Sequence, residues 1–329
     1  MKDCPGEFRS LANSFISFYA FINFSKELNT FKCLYMHKDS RKKSFLYKVL
    51  GIVPDSIYLW LKYYKNFHRF PNLRQPKLFT EKLQWLKLHD HNPEYTTMVD
   101  KYEAKKWVAA RIGEEYIIKT LGVWDRAEDI DWESLPDKFV LKATHDSGRV
   151  VICTDKSRLD KQKTIEEMNE SLKRDFYTVT REWPYKNVPK RIIAEEYLVD
   201  ESGSELKDYK FFTFDGNVKF LKVDFGRFTN HRANYYNLDW NILDLEEVNY
   251  PNDKFQKIPM PPNFEKMVEI VNHLANGMKF LRVDLFNVNG KVYFGELTFF
   301  PDSGMGRFNP IEWDERLGKL VPIRGGVFD

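Results

Sequence analysis

Hydrophobic and polar positions along the chain follow two different periods, and the change falls between residues 115 and 137. Before it, the segments read as helices. Gly51 and Pro54 punctuate two apolar stretches, FTEKLQWLKLHD (79–90) has Thr80 in place as an N-cap, and Asp100 leads into KYEAKKWVAARIG, which Gly113 is placed to end. From about residue 137 the texture becomes strand-like, in KFVLKAT, RVVICTD, RIIAEEYLV, DYKFFTFDG and NVKFLKVDFG. Helical spacing returns in FEKMVEIVNHLANG (264–277), where Phe264, Met267, Val268, Val271, Leu274 and Ala275 share one face. Strands joined by short turns, with helices before and between them, predict an α+β fold: a mostly helical region over 1–115 and a second domain over 116–329. No internal repeat or low-complexity linker interrupts it.

The stretch LRVDLFNVNGKVYFGELTFFPDSG (281–304) reads as a hairpin with charges inside apolar strands. Leu281, Val283 and Leu285 share one parity, and Tyr293, Leu297 and Phe299 continue it, so that face reads as core. Arg282, Asp284, Glu296 and Thr298 fall on the other parity only if the turn has odd length. A three-residue loop, Val288-Asn289-Gly290 with Gly290 left-handed, is therefore expected; it pairs Asp284 with Phe294 and makes Glu296 a same-face diagonal neighbour. Two carboxylates so placed suit a shared metal ion.

Composition narrows the classes. A chain of 329 residues with 43% hydrophobic and 16% aromatic positions supports a packed core rather than disorder. A net charge of +3, from 51 basic and 48 acidic residues, gives no reason to expect nucleic acid. The basic run from Lys38 to Lys48 reads as a solvated helix end. Cys4, Cys33 and Cys153 are too scattered for a disulfide framework or metal knuckle, which fits a reducing cytoplasm. The aromatic run FISFYAFINF (15–24) is about half the length of a membrane span. Packing on the protein body is its expected role, and peripheral contact with the inner face of the membrane is left open.

Lys142 sits at the end of an apolar strand before the small-residue turn Thr144-His145-Asp146-Ser147-Gly148, an arrangement that can face a polyanion. Glu195 and Glu196 end RIIAEEYLVD, where Tyr197 and Leu198 could form a hinge reading an adenine edge. There is no GxxxxGK[ST] loop and no GxGxxG after a strand. VDFGR contains Asp224-Phe225-Gly226 but no kinase catalytic loop precedes it, so that tripeptide reads as coincidence.

Taken in order, Asp100-Lys101, strand-Lys142-loop-strand, Glu195 to Leu198, and Arg282-x-Asp284 followed by Glu296-x-Thr298 resemble the ATP-grasp superfamily. The closing hairpin is similar to that of D-alanine:D-alanine ligases, with Pro301 and Gly304 at its turn positions. PNLRQPKLFTEKLQWLKLHDHNPEYTTMVDKYEAKKWV, with YLVD, LKDYKFFTFDGNVKFLKVDFGR and NYYNLDW, looks like the TupA-like (teichuronopeptide-biosynthesis) branch over about residues 45–320. That resemblance implies two α+β subdomains gripping ATP over 116–329 and a cytoplasmic enzyme working with surface-polysaccharide assembly machinery. It also implies Mg2+ as cofactor. Lys101 and Lys142 would hold the ATP phosphates, with Thr144, Ser147 and Gly148 in the loop over them. Glu195 to Leu198 would line the adenine, and Asp208 would sit near the ribose. Asp284 and Glu296 would bind magnesium. The resemblance puts Arg282 opposite the reacting carboxyl, and Lys142 and Arg282 are the catalytic candidates. Thr298 replaces the usual asparagine, a poorer ligand for a hard cation, which leaves open whether Asp302 or water completes a second site.

The implied reaction joins a carboxylate to an amine through an acyl phosphate. Arg227, His231 and Arg232, set among aromatics in DFGRFTNHRANYYNLDW, suit a uronate, and with Lys210 and Ser303 they are the substrate candidates. An amino-acid carboxylate fits equally. The competing readings are a sugar kinase using the same ATP face and a non-catalytic nucleotide- or glycan-binding component of an assembly complex.

Overall fold

The computed structural model describes residues 50–323 except 201, 202, 204, 205 and 227–229. Arg227, the 15–24 and 38–48 runs, Cys4 and Cys33 lie outside the described residues. The described residues from Val53 onward belong to one compact unit. The helices are α1 (Asp55–Phe67), α2 (Phe79–His89), α3 (Glu94–Val99), α4 (Glu103–Ile112), α5 (Lys161–Leu172), α6 (Phe176–Thr180), α7 (Phe264–Ala275) and α8 (Glu312–Leu320). The strands are β1 (Thr120–Trp124), β2 (Phe139–Ala143), β3 (Val150–Cys153), β4 (Ile192–Glu196), β5 (Asp208–Phe214), β6 (Asn217–Phe225), β7 (Arg232–Tyr236), β8 (Glu246–Glu247), β9 (Phe280–Val288), β10 (Lys291–Thr298) and β11 (Phe308–Asn309). No helix among the described residues is long and apolar enough to cross a membrane.

Helix α2 begins at Phe79 with Leu78 as its N-cap, so Thr80 is not the cap its position suggested. Stronger acceptors reach that end instead. The Glu81 carboxylate accepts the amides of Asn72, Lys77 and Leu78 at 3.0, 3.1 and 3.2 Å. Asp314 of α8 accepts both the amide and the hydroxyl of Thr80 at 2.8 Å. Negative charge at a helix N-terminus also meets the positive end of the helix dipole. Gly113 ends α4 at φ 110°, as its position predicted.

Two large antiparallel sheets follow, with a small third one pairing β11 and β8. The first has the order β1-β4-β2-β3, and its core residues Phe139, Leu141, Ile192 and Ala194 cluster with Met168 of α5. The second has the order β10-β9-β5-β6-β7. One face of it carries Leu281, Val283, Phe211, Leu221 and Val223, and these share a core with Phe264, Met267 and Val271 of α7. The other face changes character along the strands. Phe280, Phe212, Phe214 and Phe220 pack ring to ring there beneath Phe79 of α2. Beyond that aromatic half, the same face is charged.

The β9–β10 hairpin reaches its register by a different route from the one expected. Val288 pairs with Lys291, so the turn is the two-residue Asn289-Gly290, with both residues left-handed at φ 51° and 79°. The odd residue is Gly295, a bulge within β10: Phe294 faces Leu285, yet Glu296 faces Asp284. The bulge reverses the parity of β10. Tyr293 therefore pairs with Phe286 and leaves the core face, while Val292 and Phe294 are the buried residues. Asp284 and Glu296 lie directly opposite one another rather than diagonally. A side chain at 295 would be tightly opposed, since a Cβ would stand 3.0 Å from the Asp284 carbonyl oxygen and 3.0 Å from the Phe286 ring.

Candidate active site

Four adjacent strands each deliver two polar side chains, two residues apart, to the charged face. They are Glu296 and Thr298 from β10, Arg282 and Asp284 from β9, Asp208 and Lys210 from β5, and Lys222 and Asp224 from β6. The register aligns Glu296, Asp284, Lys210, Lys222 and Tyr235 in one row across all five strands. Lys210 is central: its ammonium lies 2.6 Å from Asp208, 2.6 Å from Asp284 and 3.7 Å from Asp224. Arg282 grips Asp284 with two hydrogen bonds of 2.7 and 2.8 Å and donates to the Thr298 hydroxyl at 3.0 Å. Burial alone would push the Asp284 carboxyl up, but Arg282 and Lys210 outweigh it and hold it down at about 2. Burial would likewise lower Lys210, and its carboxylate neighbours raise it instead.

The first sheet supplies a second group. Lys142 meets Glu195 at 2.5 Å, and Lys105 of α4 meets the other oxygen of the same carboxylate at 2.7 Å. The Glu195 side chain thus points to two ammonium groups and not outward along a hinge. Burial opposes its charge, yet Lys142 and Lys105 hold the carboxyl down at about 2. After β4 the chain leaves regular structure at 197–200, with Glu196 exposed and Tyr197 and Leu198 half-buried. Lys101 joins the two groups: it donates to the Asp146 carbonyl at 2.7 Å and stands 3.9 Å from the Glu296 carboxylate.

The loop from 144 to 148 is anchored at its start and open at its tip. Thr144 is buried, its hydroxyl donating to the Pro189 carbonyl at 2.8 Å, so it faces inward. Ser147 and Gly148 are exposed, with Gly148 at φ 98°. Arg174 latches the loop by pairing with Asp146 at 2.8 Å. His145 is buried, and burial holds its imidazole down at about 4.

The substrate candidates are not all in one place. Lys210 lies in the middle of the charged face, and His231 stands 3.1 Å from Asp224 with its ring against Tyr250. Arg232 opens β7 opposite Phe225. Ser303 belongs to a left-handed turn in which Asp302, Ser303 and Gly304 have φ of 46°, 56° and 64°. Lys87 of α2 holds that turn by donating to the Ser303 carbonyl and hydroxyl, both at 2.8 Å.

Sequence reading missed Lys105, Arg174, Lys222 with its partner Glu247 at 2.8 Å, and Asp224, set aside with the DFG tripeptide. A signal for the last two was available. The pattern charge-x-charge that marks Arg282-x-Asp284 recurs as Asp208-x-Lys210 and Lys222-x-Asp224 in two other apolar strands.

No cluster of three or more potential ligand side chains forms a metal cage among the described residues. Magnesium does not require one, because it keeps several waters and takes one or two carboxylates together with substrate phosphates. Glu296, a third exposed and opposite Asp284, fits that mode. Glu296 is the open donor, whereas Asp284 has both oxygens held by Arg282 and Lys210 and would have to exchange one of those partners to meet an ion.

The family model described as TupA-like ATPgrasp matches residues 81–322. The chain belongs to this family. Its α+β fold is accordingly the ATP-grasp fold, with the helices α1 to α4 ahead of the first sheet. Among solved structures, this ATP-grasp protein is similar to the D-alanine–D-alanine ligase of Helicobacter pylori, at 15% identity over 74% of this chain and 69% of that one, with a TM-score of 0.38. It is similar also to the Bacillus anthracis D-alanine–D-alanine ligase, at 14% over 61% and 56%, TM-score 0.34. A third is the phosphoribosylamine–glycine ligase of Thermotoga maritima, at 14% over 70% and 58%, TM-score 0.36. The chain thus spans little more than half the length of the latter two. No curated protein matches it in sequence.

Proposed function

We propose that this protein is an ATP-dependent carboxylate–amine ligase that forms an amide through an acyl phosphate, acting on a uronic-acid or amino-acid component of a surface polysaccharide. The observation that carries the reading is Lys101. Its ammonium stands between the carbonyl of the 144–148 loop and the carboxylate pair of the β9–β10 hairpin, where a triphosphate would find cationic and metal-binding groups together. Family membership supports the nucleotide, and the resemblance to the teichuronopeptide branch supports the polysaccharide setting.

A carboxylate resists attack because its charge repels nucleophiles and oxide is a hopeless leaving group. Transfer of the γ-phosphoryl group forms a bond from a substrate carboxylate oxygen to phosphorus and breaks the bond to the bridging oxygen, which leaves with ADP. Positioning and charge neutralisation are what this step asks of the protein. Lys101 and Lys142 supply cations on one side, and Asp284 and Glu296 would hold magnesium, which when bound neutralises phosphate charge. An amine then attacks the acyl carbon, phosphate departs with the C–O bonding pair, and the nitrogen loses its proton. Arg282, half-buried beside Asp284 and bonded to Thr298, is placed to stabilise the oxyanion of the tetrahedral intermediate. On the substrate side, His231, Tyr250 and Arg232 offer rings and cations to an acidic sugar.

The test is a thermal-shift titration with ATP, with and without magnesium, on the wild type, Lys142→Ala and Glu296→Gln. A ligand that binds only the folded state raises its melting temperature. The expected result is a magnesium-enhanced shift that both variants weaken. Uronates and amino acids are then screened for ADP release and for hydroxamate formation with hydroxylamine. A folded wild type that shows no shift at saturating ATP would overturn the reading.

A further inference from the structure

We propose that Lys105 is a positioning residue: it keeps Glu195 neutralised in place when Lys142 leaves that carboxylate for the nucleotide phosphates. The inference rests on the nucleotide-binding reading above and goes beyond it, because it concerns a residue outside the phosphate-facing set.

The two lysines share one carboxylate but are built differently. Lys105 takes one Glu195 oxygen at 2.7 Å and donates also to the Ile118 carbonyl at 2.7 Å and the Thr120 hydroxyl at 3.1 Å. Three acceptors use all three of its protons and fix it in the interior. Lys142 takes the other oxygen at 2.5 Å, and its side chain is 21% exposed against 8% for Lys105. The exposed partner can move; the enclosed one cannot. Moving Lys142 on a buried carboxylate with no second cation would strand an uncompensated charge, which is strongly unfavourable. With Lys105 in place, Glu195, only 4% exposed, retains a counter-ion throughout. Glu195 then acts as a stand-in for phosphate: it holds the Lys142 ammonium until a nucleotide competes for it. The register supports this geometry, since Val140 faces Glu195 and Lys142 faces Ile193, which puts Lys142 and Glu195 on the same face as diagonal neighbours.

The experiment measures binding of Mg2+·AMPPNP and of adenosine to the full chain by calorimetry, for wild type, Lys105→Met and Lys105→Met/Glu195→Gln. Adenosine carries no phosphate and makes no demand on Lys142. The expected result is that Lys105→Met weakens AMPPNP about tenfold or more and leaves adenosine unchanged, while the double variant recovers AMPPNP binding because nothing is left to strand. Equal loss of both ligands, unchanged AMPPNP affinity, or failure of the double variant to recover would overturn the proposal. A wild type that binds neither ligand removes the nucleotide reading itself, which separates the two failures. Should Lys105→Met not fold, Glu195→Gln alone carries the test. Loss of the competitor for Lys142 should tighten AMPPNP severalfold and leave adenosine unchanged, and equal or weaker AMPPNP binding would count against the relay.

Discussion

Gly295→Ala tests whether one bulge sets the geometry of the carboxylate pair. The new Cβ would lie 3.0 Å from the Asp284 carbonyl oxygen and 3.0 and 3.3 Å from two carbons of the Phe286 ring. The ring can turn aside, but the carbonyl belongs to the strand that carries Asp284 and has to shift by a few tenths of an ångström. Overpacking of this kind costs about 1–3 kcal/mol, and the reduced freedom of the unfolded chain returns about 0.4–1 kcal/mol. The net loss is about 1–2 kcal/mol, or roughly 2–8 °C in melting temperature for a unit of this size. Because the shift is delivered to Asp284, Mg2+·AMPPNP affinity should fall about tenfold, as when the support of a metal ligand is altered. Gly290→Ala is the control: it forces a side chain into a backbone at φ 79° with open space around it, at the far end of the same hairpin. It should lower the melting temperature without changing nucleotide affinity. Equal affinity for Gly295→Ala and wild type, whatever the change in stability, would refute the link between the bulge and the proposed metal-binding pair.

Three further outcomes are expected. Glu195, whose folded carboxyl is held at about 2, lends stability that is complete above its ordinary range and is lost as pH falls from about 4.5 toward 2; melting temperatures of wild type and Glu195→Gln over that window should converge at the acid end. Glu81→Ala orphans three backbone amides ahead of α2 and should cost about 2–4 kcal/mol in urea unfolding, with an effect below half a kilocalorie arguing that water replaces the carboxylate. Arg174→Ala unlatches Asp146, so amide exchange across 144–148 should quicken while β5 and β6 keep their protection; uniform exchange everywhere would mean that the latch is not local.

Much of the second sheet was legible because its strands announce themselves. Apolar alternation located β5, β6, β9 and β10, and charges two residues apart in β9 pointed to the site. The register was not legible, because a bulge changes parity at one residue and leaves no period to detect. Strand β1 escaped for a related reason: all five of its residues are half-buried, so TLGVW has no alternation to read. The Lys142 strand was found, but its partner was not. Sequence alone leaves Glu195 free to serve a hinge, because Lys105 comes from a helix ninety residues earlier and no local pattern reports a contact over that separation. Thr80 failed as a cap on the same ground, since the acceptor that displaced it lies in α8.

That last contact bears on how the chain is made. Helix α2 contributes Phe79 to the aromatic half of the sheet and Lys87 to the Ser303 turn, yet its first turn is secured by a carboxylate 234 positions later. At synthesis rates of about 5–20 residues per second, the interval is roughly 10–50 s. During that time a nascent α2 has emerged without the Asp314 acceptor for Thr80, beside a sheet whose strands are still being produced. The molecule therefore closes on itself late, and a ribosome-stalled chain ending before residue 314 should carry both sheets yet remain open to proteolysis at its first helices.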